Sequence, residues 1–134
     1  MDKKDSGMSQ WGPGPNYFSS ENSDVYIDND GRLHLKVTNR DGKWLSTEVI
    51  SKESFGYGTY VFYIGSRGDT LDQNIVLGLF TWDDNPNNHI NRWNEIDFEF
   101  SRWNNPNNDN FQYVVQPWDW TSGNMYRFNI DNSI

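Results

Sequence analysis

The 134-residue chain has no cysteine, which excludes disulfides, thiolate zinc sites and cysteine nucleophiles. It has no apolar run near the roughly 20 residues that a membrane-spanning helix requires. The segment Met1–Gln10 is polar and charged, so no signal peptide is read there. Basic residues are few: 11 Lys and Arg stand against 19 Asp and Glu, a formal charge of −8. Such a surface repels phosphate backbones and anionic headgroups, so neither nucleic acid nor a membrane is expected as a partner. Sulfated and uronic-acid glycans are disfavoured for the same reason, and neutral glycans are not. The two histidines, His34 and His89, have no partner at nucleophile or metal-ligand spacing. No Gly-rich loop precedes a helical pattern, so a nucleotide site has no support.

Hydrophobic residues make up 34% of the chain and aromatics 16%, so the core leans on a few large rings. The surplus of Trp supplies rings for a binding surface, where flat faces suit stacking on sugars. Short alternating segments split by turn residues predict an all-β domain of about eight strands. The spacing favours an antiparallel β-sandwich or barrel. Residues 1–15 read as a flexible N-terminal arm and 16–134 as the sandwich domain. Asp30-Gly31 and Asp41-Gly42 predict tight hairpin turns. Tyr57–Ile64 and Ile75–Trp82 are more apolar, as central strands would be. Two loops share an Asn-Pro-Asn-Asn core, at 85–88 and 105–108.

The most informative segment is Trp93-Asn94-Glu95-Ile96-Asp97-Phe98-Glu99-Phe100. Side chains on a strand alternate faces, so Glu95, Asp97 and Glu99 share one face. Ile96, Phe98 and Phe100 share the other, expected to face the core. Three neighbouring acids raise one another's pKa. A carboxyl kept protonated can act as a general acid while its neighbour attacks or activates water, the division of labour that glycoside cleavage needs. Positions four apart on an extended strand are roughly 13 Å apart at Cα. Retaining chemistry wants carboxyls about 5–5.5 Å apart, so the strand is expected to curve concavely there. A solvated acidic face is the alternative reading. The flanking Trp82, Trp93 and Trp103 weigh against it. Gln112 and Gln116 fall on one face of the following strand, where sugar hydroxyls and plain solvent are both open as partners. Trp118 and Trp120 can stack on sugars or pack at an edge.

At Glu95-Ile96-Asp97-Phe98-Glu99 the sequence resembles the family 16 glycoside hydrolases. The similarity extends to Gly12–Ser19, Asp30–Leu35, Phe55–Tyr60 and Leu79–Trp82, in the order the family places them, and covers roughly residues 12–130. The resemblance implies a concanavalin A-like β-jelly roll with a glycan cleft on its concave sheet. It implies a retaining endo-β-glucanase in which Glu95 is the nucleophile, Glu99 the acid/base and Asp97 the residue tuning their protonation. Trp93, Phe80, Trp82 and Glu48 match substrate-binding positions of lichenase-like members. Ile50 and Val114 depart from that pattern, which has Arg and Asn there. The five-residue motif points to an unsulfated β-glucan. No catalytic cofactor is implied, although relatives often carry a structural Ca²⁺. The parent protein is expected to be a monomeric extracellular or periplasmic enzyme. The family domain continues past Ile134, so this chain is expected to lack C-terminal strands. Two other readings stay open: a lectin-like carbohydrate-binding module without catalysis, and an inactive fragment of such an enzyme.

Overall fold

The computed structural model describes residues 1–83, 94–118 and 121–131. These form short strands and a single 3₁₀ turn at Gly68–Thr70. The chain divides into two compact units, residues 1–59 and 60–134, where the sequence suggested one domain over 16–134. Among the described residues all strand pairs are antiparallel except one, and the all-β class expected from the alternation is the class observed, consistent with a β-sandwich. Among the described residues no helix is long and apolar enough to cross a membrane.

The first unit holds seven strands: β1 (Asp2–Lys3), β2 (Tyr17–Phe18), β3 (Val25–Ile27), β4 (Leu33–Leu35), β5 (Thr38–Arg40), β6 (Lys43–Ser46) and β7 (Val49–Ile50). The β5–β6 hairpin turns at Asp41-Gly42. Both residues take positive φ, 52° and 81°, as a two-residue type I′ turn requires. The β3–β4 connection is longer than Asp30-Gly31 alone. Asp28 and Arg32 bond across it, and the Asp28 carboxylate accepts from the Asp30 and Arg32 amides. Phe18, Val25 and Asp24 are buried here, with Asp24 held by Ser19 and Arg40.

Residues 1–15, read as an arm, are tied into this unit. Strand β1 pairs with β7, and Trp11 bridges Asn16. The Lys4 ammonium lies 2.8 Å from the Glu48 carboxylate and 4.3 Å from the Phe18 ring centre. The segment Trp44–Ile50 is divided between β6 and β7.

The second unit is built on a four-stranded sheet in the order β11-β10-β9-β8, with β8 (Leu77–Phe80), β9 (Ile96–Phe100), β10 (Phe111–Val115) and β11 (Met125–Phe128). Among its described residues Phe100, Phe111 and Val114 are the buried apolar ones. The Phe100 and Phe111 rings meet edge to face at 4.7 Å. Gly68 packs against Phe100 so closely that a Cβ there would lie 2.8 Å from the ring.

Three expectations are corrected here. Tyr57–Ile64 forms no strand, and Tyr57, Val61, Phe62 and Tyr63 are exposed. Only Leu77–Phe80 of Ile75–Trp82 is paired as strand. Of the predicted core face of β9, Phe100 is buried, but Ile96 and Phe98 are 44% and 45% exposed. Alternation assigns a face; burial needs a covering layer, and Phe100 has one in Gly68 and Phe111.

Candidate active site

The carboxylates sit on β9, the second strand from the β8 edge. Antiparallel pairing sets which side chains surround them. Phe80 lies opposite Asp97 on one side, and Val114 lies opposite it on the other. Gly78 and Gln112 flank Glu99 in the same way, and Arg127 is the next residue out, opposite Gln112. One face of the sheet therefore carries the acids, two glutamines, an arginine and an aromatic ring. The opposite face carries Leu79, Phe98, Tyr113 and Tyr126 in a row. The period-two pattern is what segregates the two sets.

Glu95 lies one residue before β9, and the ladder still holds it: its carbonyl accepts from the Gln116 amide at 3.1 Å. The Thr81 amide donates to the Ile96 carbonyl at 3.1 Å, which carries the β8–β9 register past the end of β8 and brings Trp82 level with Glu95. Trp82 is 63% exposed and Phe80 is 39% exposed. Gln116 donates to Asp97 Oδ2 at 2.8 Å, and Gln112 donates to Glu99 Oε2 at 2.5 Å. Asp97 and Gln112 are buried, at 7% and 4% exposure.

The electrostatics separate the two glutamates. Glu95 is pushed up to about 7, first by burial and then by the charge of Asp97, a hydrogen bond shared with it, and the charge of Glu99. Burial also raises Glu99, with a smaller effect from Asp97, but the Gln112 hydrogen bond and the Arg127 charge pull it back. Burial raises both glutamates, and at Glu99 alone a hydrogen bond and a cation oppose it. Two carboxyls whose environments differ in this way can exchange acid and base roles across a reaction.

The remaining sequence-selected residues fall elsewhere. Glu48 belongs to the first unit, where it pairs with Lys4. Trp93 and Trp120 lie outside the described residues. Trp118 is exposed. His34 stacks on Tyr26 at 4.6 Å and bonds Asp28, a surface packing role. The 105–108 loop spends its polar groups on itself, since Asn105 Oδ1 accepts from the Asn107 amide and Asn108 donates to the Arg102 carbonyl. Among the described residues no group of three His, Asp or Glu side chains is placed to hold a metal ion. Arg127 escaped the sequence reading. Its only signal was its place in an alternating strand, Met125–Phe128, with Arg on the polar phase.

Compared with family models, curated proteins and solved structures, the chain matches none of them.

Proposed function

We propose that the polar face of β8–β11 is the catalytic surface of a retaining endo-β-glycosidase acting on a neutral β-glucan. The observation that carries this reading is the row Glu95, Asp97, Glu99 on one face, with Gln116 and Gln112 donating to Asp97 and Glu99. Free proteins gain nothing in stability from three stacked carboxyls, whereas two-step glycoside cleavage needs such a set.

In this reading Glu99, raised by burial, protonates the leaving oxygen, and Glu95 attacks the anomeric carbon. The C–O bond to the leaving sugar breaks as the bond from the Glu95 carboxylate to the anomeric carbon forms. Glu99, now ionised, takes a proton from water as that water displaces Glu95 and restores the carboxylate. Glu95 must be ionised to attack. Phe80 and Trp82 offer exposed rings beside Asp97 and Glu95 for the sugars on either side. The resemblance to family 16 glycoside hydrolases and the acidic net charge support an uncharged substrate.

The test is release of reducing ends from mixed-linkage glucan, laminarin and xyloglucan by this chain and by its Glu99→Gln variant. Turnover on at least one glucan is expected. It should fall by about two to four orders of magnitude in the variant and recover in part on aryl glycosides with good leaving groups. Turnover that survives Glu99→Gln unchanged overturns the role of Glu99.

A further inference from the structure

Arg127 stands two strands away from the carboxylates, yet it is connected to them. Its Nε and Nη2 lie 3.1 and 2.8 Å from Gln112 Oε1, and Gln112 Nε2 lies 2.5 Å from Glu99 Oε2. An arginine side chain carries only donors. It can face the carbonyl end of an amide and never its NH₂ end. Gln112, buried at 4% exposure, is therefore held in one orientation, with its NH₂ turned to Glu99. The two strand pairings that produce this line, Arg127 opposite Gln112 and Gln112 opposite Glu99, put the three residues directly across from one another.

The far side of Arg127 is also built. Its guanidinium carbon lies 4.0 Å from the centre of the Trp103 ring, within cation–π range. Trp103 has φ 47°, and the next residue, Asn104, has φ 59°. A bulky aromatic residue in the left-handed region is uncommon and unfavourable. It is held there by the Trp103 amide donating to Ser101 Oγ at 3.1 Å and the Asn104 amide donating to the Gln73 carbonyl at 2.8 Å.

From this geometry we infer that Arg127 is a positioning residue. Stacked on Trp103, it orients the Gln112 amide so that its NH₂ group fixes one oxygen of Glu99 and leaves the other oxygen for the reaction. The inference deepens the proposed function and rests on it for its catalytic meaning, but the relay itself does not require a substrate. It also changes the reading of Gln112, whose amide is committed to Glu99 on one end and Arg127 on the other.

The groups facing Glu99 are Asp97 on its own strand, Glu95 just before that strand, Gln112 on β10 and Arg127 on β11, with Asp109 acting on Arg127. The experiment is a carbon-13 titration of the Glu99 carboxyl in the full chain, assigned with Glu99→Gln, together with nitrogen-15 detection of the Gln112 side-chain amide. Arg127→Met should raise the proton affinity of Glu99 about tenfold, and Gln112→Leu should do the same. The double variant should do little more than either alone, because both cut one chain. Arg127→Lys keeps the charge and most of the stem, so it covers the case where Arg127→Met fails to fold. Lys lacks the fork, and the Gln112 amide protons should lose their protection from exchange although the charge remains. An unchanged Glu99 titration in Arg127→Met, fully additive effects in the double variant, or a Gln112 amide that stays protected in Arg127→Lys would overturn the relay. Absence of turnover on every glucan, with these titrations as expected, would count against the proposed function and leave the relay standing.

Discussion

A carboxyl that is hard to ionise in the folded protein makes the fold itself sensitive to pH. Glu95 goes from the ordinary 4.5 to about 7 on folding, raised by burial and by Asp97 and Glu99. Because its folded-state value lies above its unfolded value, its protonated form favours the fold fully below about pH 4.5, and that contribution is lost as pH rises through about 7. At ~1.4 kcal/mol per pKa unit, the gap would amount to ~3.5 kcal/mol for a sealed group. Solvent reaches Glu95, and screening leaves about half of that or less, so ~1–1.5 kcal/mol is the working figure. Glu95→Gln removes the charge while its amide can still donate to Asp97, as the protonated acid does. The variant should match the parent at about pH 4 and exceed it by ~1–1.5 kcal/mol at about pH 8. For a chain of this length that is a rise of roughly 3–6 °C in Tm at the higher pH. Paired thermal melts and urea titrations of the two proteins at both pH values provide the measurement. A variant that is equally stabilised at both pH values, or less stable than the parent at about pH 8, would show that Glu95 does not resist ionisation.

Asp97→Asn removes a charge that raises both glutamates, so both should titrate lower and the alkaline limb of any pH–rate profile should move to lower pH; a lower rate with an unmoved profile would make the role of Asp97 positional. Trp82→Ala should weaken glucan binding severalfold while changing stability by less than about 0.5 kcal/mol, since the ring is mostly exposed; an unaltered KM would remove Trp82 from the sugar site. Gly68→Ala should cost about 1–3 kcal/mol in urea denaturation, because its Cβ would meet the Phe100 ring at 2.8 Å; a neutral change would mean that the ring shifts freely.

The acid face was legible because it depends on one rule, the alternation of side chains along a strand, applied to Glu95, Asp97 and Glu99. The Asp41-Gly42 turn was legible for a similar local reason. What escaped depends on neighbours. Tyr57–Ile64 has the composition of a central strand, but it is not strand in the structure, and composition alone does not supply a partner. Ile96 and Phe98 have the right phase for a core, but burial depends on what covers them. Arg127 reaches Gln112 only through the β10–β11 register, which no pattern within Met125–Phe128 discloses. Glu48 shows the converse, since a residue chosen by resemblance for sugar binding is here paired with Lys4. Lys4 lies in the segment that composition alone presented as a free arm.

The central claim is that Glu95 attacks the anomeric carbon of a β-glucan, and covalent trapping tests it most directly. A 2-deoxy-2-fluoro gluco-oligosaccharide with a good leaving group should form a glycosyl-enzyme that persists, because the fluorine slows its hydrolysis. Intact-mass measurement should show one added glycosyl unit on the chain, and peptide mapping should place it on Glu95. Glu95→Gln should show no adduct. No adduct on the parent protein, or one that maps to another residue, would contradict the assignment.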